Sequence, residues 1–245
     1  MTARHPDFSA LPRTDQVAAP ARRMQRALRP VARRWYGRRY DVRVTGGEHV
    51  PATGAVLVAG NHIGLLDGPL VAAYTPRPVH LLTKVEMFDG VMGRFLRSVG
   101  QIPLSRFEAD PGGIKACIRV LRDGGVVGIF PEGGRGAGDL QRFRPGLAYL
   151  ALVTAAPVVP VAILGTREPG GGLDSVPPAG SRLHLVYGRP LQVESRPWPR
   201  TPAVVRRATE QLHRHLLAHL AEALTDTGEK LPGPLPVADP AEAVP

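Results

Sequence analysis

Apolar residues fall into short unbroken runs bounded by turn-formers, and these runs alternate with stretches in which apolar positions recur every three or four residues. The runs at residues 56–59, 79–83, 126–130 and 158–164 are dominated by Val, Ile and Leu and are too short for helices, so they predict buried strands. Residues 40–45 alternate and add a strand, and residues 183–187 add another. Helices are expected over 69–74, 90–98, 111–123, 145–155 and 202–224, with Gly124-Gly125 closing the third. Residues 100–106 read as an extended segment ending in Arg106, and 170–180 as a loop. Strands interleaved with helices imply one α/β domain whose central sheet is mixed but mostly parallel and flanked by helices.

Two stretches resist a simple reading. Residues 146–165 carry no charge and are long enough to suggest a membrane span, but Pro157 and Pro160 break any single helix. A helix followed by a strand is expected there instead. Near the amino end, Met24, Leu28, Val31 and Trp35 recur at helical spacing while Arg22, Arg23, Arg26, Arg29 and Arg33 occupy other faces. This predicts a basic amphipathic helix, kinked or broken at Pro30. Such a helix suits a bilayer interface, with Trp35 and Tyr36 at headgroup depth and arginines on anionic phosphates. Four regions follow: a disordered amino terminus (1–18), a membrane-docking helical segment (19–39), the α/β domain (40–227) and a disordered proline-rich tail (228–245).

Composition narrows the partners. The 245 residues, 43% hydrophobic, suffice for one full core, and a formal charge of +10 points to nucleic acid, anionic lipid or phosphorylated small molecules. Arginines crowd residues 22–43, aromatics make up only 5%, and no RNA-recognition signature is present, so nucleic acid is not the expected partner. Cys117, the only cysteine, lies in phase with Ile114, Ile118 and Leu121 and reads as core in a reducing cytoplasm. Residues 1–15 show no apolar core of a signal peptide. His215 and His219 have an i, i+4 spacing without a third ligand and read as a surface helix face, so no metal site is expected. His80 and His184 read as hydrogen-bonded strand residues, and Trp198 as a loop packing anchor.

Chemistry concentrates where strands end. The 56–59 strand empties into Asn61 and His62, with Asp67 five positions on at the expected start of a helix. A carboxylate there can take a hydrogen bond from one imidazole nitrogen and leave the other basic. The 100–106 segment offers Arg106, and the turn after the 126–130 strand offers Glu132, Gly133, Gly134 and Arg135. A base, an orienting carboxylate and two guanidinium groups suit an anionic substrate bearing a hydroxyl. No Lys-Ser or Lys-Thr follows the glycines, which excludes a nucleotide-binding P-loop.

These segments resemble the motifs of the glycerolipid acyltransferases, the lysophosphatidic acid acyltransferase group. Asn61-His62-Ile63-Gly64-Leu65-Leu66-Asp67 is similar to the N-H-x4-D motif, and residues 100–106 to the second motif. Phe130-Pro131-Glu132-Gly133-Gly134-Arg135 is similar to F-P-E-G-T-R, Phe143-Arg144-Pro145-Gly146 to F-K-x-G, and Val159-Pro160-Val161 to the fourth motif. Gly134 and Gly136 depart from the usual Thr and Ser, removing two hydroxyls that could meet a phosphate. The resemblance implies acyl transfer from an acyl-CoA or acyl-ACP thioester to a lysophospholipid, most plainly 1-acyl-sn-glycerol-3-phosphate, without metal or other cofactor. It implies His62 and Asp67 as catalytic, Arg106, Glu132, Gly133, Gly134 and Arg135 as acceptor phosphate-binding, and Asn61 and Pro160 as acyl-donor or structural residues. The implied location is peripheral, on the cytoplasmic face of the cell membrane. A thioesterase, another lysolipid or glycolipid acceptor, and a non-enzymatic membrane or nucleic-acid binder are the alternatives.

Overall fold

The structure, a computed structural model, describes residues 12–105, 110–197 and 199–236. Seven strands form one sheet in the order β1-β7-β6-β2-β5-β3-β4. They are β1 (Asp41–Thr45), β2 (Val56–Gly60), β3 (Val79–Lys84), β4 (Ile102–Leu104), β5 (Val126–Ile129), β6 (Val158–Leu164) and β7 (Arg182–Tyr187). β6, β2, β5, β3 and β4 run parallel, β7 is antiparallel to β6, and β1 is parallel to β7. The expected mixed, mostly parallel sheet is therefore present. Its three central strands β6, β2 and β5 are buried along their whole length, which matches their unbroken apolar runs.

Six helices cover the sheet: α1 (Arg23–Arg39), α2 (Asp67–Tyr74), α3 (Gly90–Ser98), α4 (Pro111–Arg122), α5 (Gly146–Thr154) and α6 (Pro202–Thr227). One face packs α4, α5 and α6 on Leu57, Val127 and Ala162; the other packs α2, with Tyr36 of α1, on Val58, Leu81 and Ile163. Both β2-α2-β3 and β3-α3-β4 step the same way across the sheet, so the right-handed crossover rule puts α3 in the layer of α2. Residues 146–165 form α5 and β6, both deep in the core, and no helix among the described residues is long and apolar enough to cross a membrane. Cys117 is fully buried, and burial pushes its thiol pKa up. Asp110 and Thr201 cap α4 and α6, each with a proline in the first turn that follows.

α1, expected to kink or break at Pro30, runs through that proline as one helix. Side chains on both sides of the proline anchor it. Gln25 donates to the Val79 carbonyl, Arg29 to those of Ala72 and Thr75, and Arg33 to those of Ala73 and Thr75. The arginines thus cap the negative end of α2, and the face turned to the domain combines these donors with half-buried Leu28, Ala32 and Tyr36. Met24, Val31 and Trp35 are left 47%, 63% and 56% exposed.

The expectations of disorder over 1–18 and 228–245 fall partly outside the described residues. Among the described ones, Thr14 is fully buried, and residues 228–236 return to the domain with Leu231 packed on the core.

Candidate active site

Three neighbouring parallel strands, β5, β2 and β6, end at the same edge, and the turns that follow them meet there. In open α/β sheets this crevice is where ligands bind. The chain leaves β2 at Asn61, whose buried amide pairs with both backbone groups of Ile163, donating to its carbonyl (2.9 Å) and accepting from its N–H (2.8 Å). A side chain thus extends the β2–β6 ladder by one step.

His62 follows. Its Nδ1 lies 2.7 Å from Asp67 Oδ2. Because a carboxylate only accepts, Nδ1 carries the hydrogen and Nε2 is the basic nitrogen. The ring stacks on Phe130, centroids 4.1 Å apart, and Nε2 has no hydrogen-bond partner among the described residues. The His62 side chain is 20% exposed, whereas Asp67 is fully enclosed.

Asp67, expected at the start of a helix, is the first residue of α2, and its carboxylate turns back onto the loop before it. Oδ2 accepts from Ile63 N–H (2.7 Å), Gly64 N–H (2.8 Å) and His62; Oδ1 accepts from the Thr166 hydroxyl. Four donors leave this carboxylate one orientation, and with it the imidazole.

Glu132, 7% exposed, accepts the His62 backbone N–H at 2.8 Å, and Gly136 N–H donates to the His62 carbonyl at 2.9 Å. The turn after β5 therefore clamps the residue that carries the imidazole. Burial pushes the Glu132 carboxyl pKa up to about 7, against the hydrogen bond from His62, which lowers it. Gly133 has φ +76°, and a Cβ there would meet the Arg144 side chain at 2.3 Å, so only glycine lets that side chain lie across the turn. Its N–H is spent on the Phe130 carbonyl. The Gly134 N–H has no such partner among the described residues.

Of the expected phosphate ligands, Arg135 is turned onto the Leu173 carbonyl and Asp174 (3.2 Å). Arg106 lies outside the described residues, as does Trp198. Pro160 sits inside β6, where its carbonyl accepts from Gly188 N–H. His80 is buried and bonded to the Gly100 carbonyl. His219 corrects the surface reading: it is 9% exposed, with Nε2 at 2.8 Å from the Val186 carbonyl. That bond reaches from α6 to β7. Among the described residues no group of three or more His, Cys, Asp or Glu is placed to hold a metal ion.

Sequence reasoning missed Thr166 and Arg167, which follow β6. Thr166 is fully buried against Asp67, and Arg167, 2% exposed, donates from Nε to the Ile63 carbonyl at 2.8 Å. The only local signal is Gly165, held at φ +80°, which turns the chain at the end of β6.

An oriented imidazole with one open nitrogen, at the strand ends beside cationic turns, is equipped to take a proton from a hydroxyl. Residues 41–164 match the acyltransferase family. A 1-acyl-sn-glycerol-3-phosphate acyltransferase of Bacillus subtilis is 32% identical over 155 residues, covering 62% of this chain and 75% of the relative. One of Borreliella burgdorferi is 36% identical over 131 residues, covering 51% and 52%. The crystal structure of the 1-acyl-sn-glycerophosphate acyltransferase PlsC of Thermotoga maritima superposes with a TM-score of 0.60 over 80% of this chain and 79% of that one; at 20% identity this shows a shared fold. The chain belongs to the acyltransferase family, and its chemistry is transfer of an acyl group to oxygen.

Proposed function

We propose that this enzyme moves a fatty acyl group from an acyl-CoA or acyl-ACP thioester to the hydroxyl of a lysophospholipid, 1-acyl-sn-glycerol-3-phosphate first among them. The observation that carries the reading is the His62–Asp67 pair with Nε2 open. An alkyl hydroxyl attacks poorly until its proton is taken. Nε2 removes that proton as the acceptor oxygen bonds to the thioester carbonyl carbon, and Asp67 stabilises the imidazolium. The tetrahedral oxyanion then collapses, the C–S bond breaks, and the imidazolium returns its proton to the leaving thiolate. The Gly134 N–H serves as a donor to the oxyanion. Arg106, Arg135 and the exposed Arg144 beside Gly133 supply cations for the acceptor phosphate, with Glu132, Gly133 and Gly134 shaping the turn that faces it.

The same reading makes residues 40–227 the acyltransferase domain and α1 its docking element on the cytoplasmic face of the cell membrane. Met24, Val31 and Trp35 are exposed between arginines, and in the α2 layer α3 exposes Val91, Met92 and Phe95.

The test is a purified-enzyme assay offering acyl-CoA and acyl-ACP donors against a panel of lysolipids, read by mass spectrometry. Acylated lysophosphatidic acid as the main product supports the reading. Free fatty acid with no acylated lipid would identify a thioesterase and overturn it.

A further inference from the structure

Arg167 is a buried cation whose hydrogen bonds all go to backbone carbonyls, on four separate parts of the chain. Nε donates to Ile63 (2.8 Å), Nη1 to Gly171 (2.9 Å), and Nη2 to Gly136 (2.9 Å) and Gly233 (2.6 Å). Two of these partners are also bonded to the His–Asp pair. Ile63 gives its carbonyl to Arg167 and its N–H to Asp67; Gly136 gives its carbonyl to Arg167 and its N–H to the His62 carbonyl. The guanidinium therefore holds, from behind, the two residues that hold the imidazole and its carboxylate.

The fourth partner comes from beyond the last helix. α6 ends at Thr227, capped by Gly228, and the chain returns with Glu229 3.6 Å from His184, Leu231 on the core and Pro232 buried, which brings Gly233 to Arg167. Gly233 sits at φ +79°, a left-handed turn that glycine adopts without strain. A planar fork of five N–H groups can serve carbonyls in several directions at once, which a single ammonium centre cannot.

We propose that Arg167 is a positioning residue for acyl transfer and that the segment at Gly233, through it, is a working part of the active site. The proposal rests on the acyl-transfer reading for its kinetic consequence but not for its structural one. Arg167 and Gly233 set where the His62 turn lies without touching substrate, so their loss lowers the rate of the chemical step and leaves substrate binding in place.

The experiment compares the full-length enzyme with R167K, with a chain shortened by residues 233–245, and with the two changes combined. The truncation keeps Leu231 and Pro232 on the core, and it tests the proposal on its own if R167K folds poorly. R167K should lower kcat by about tenfold or more with both KM values within about twofold. The truncation should lower kcat by about threefold or more, and the combination should be no worse than R167K alone, because both changes act through one guanidinium. Wild-type kcat in the truncated enzyme, or losses that multiply in the combined variant, would overturn the proposal.

Hydrogen exchange supplies a readout that needs no turnover. The Ile63, Gly64 and Gly136 amides should lose protection by about tenfold in each variant while Val58 and Val127 keep theirs. Unchanged exchange at those three amides would overturn the proposal. Lost protection in a protein that acylates nothing would support the placement of the His62 turn by Arg167 and refute the acyl-transfer reading instead.

Discussion

The sheet edge around His62 and the surface of α1 both use arginine, but in opposite ways. At the edge, Arg167 is enclosed and spends its donors on four carbonyls, and Arg135 is tied to the 173–174 loop. On α1, Arg29 and Arg33 bind the end of α2, while Arg23, Arg26, Arg34 and Arg38 stand in solvent around exposed Met24, Val31 and Trp35. On the proposed reading, the first arrangement acts by direction and fails when an atom moves, whereas the second acts on a membrane through field and area and degrades gradually.

The contrast can be broken most severely at the base. His62→Ala should reduce acyl transfer by about a thousandfold or more; measured transfer within tenfold of wild type would remove His62 from the mechanism.

Next comes Glu132, whose carboxyl titrates near 7 when folded against 4.5 ordinarily. Between those values the folded protein holds the extra proton, so stability falls as pH rises through that window, by about 3 kcal/mol once ionisation is complete. Glu132→Gln keeps an oxygen for the His62 N–H and should flatten this decline between pH 5 and pH 8 in denaturant titrations. An equal decline in the variant would assign it to other groups.

Arg135→Ala should raise the acceptor KM by about tenfold with little change in kcat. An unchanged KM would mean that its bond to the 173–174 loop is its whole role.

The smallest effect belongs to α1. Trp35→Ala should weaken binding to anionic vesicles by about fivefold, and added salt should weaken the wild type. Equal binding to neutral and anionic vesicles would sink the docking assignment.

Much of this was legible in the sequence because it is local. Unbroken Val-rich runs marked β2, β5 and β6, and polar turns after β2 and β5 marked the residues that meet at their ends. What escaped was non-local. The Thr166 and Arg167 contacts to the His62 turn span 99 and 104 positions, and the Asn61 pairing with Ile163 spans 102. No spacing rule reports a partner that distant. The stripe on α1 was legible, but its anchoring was not, since periodicity does not say that Arg29 and Arg33 are spent on the carbonyls at the end of α2, which need donors, or that Tyr36 packs on the core rather than lying with Trp35.

The amide of Asn61 impersonates a peptide unit, so the sheet in effect continues through the residue just before the imidazole. On the proposed mechanism, a base mounted this way does not travel toward its substrate. The acceptor hydroxyl is carried to it, and acceptors are told apart by how headgroup and chain are gripped elsewhere.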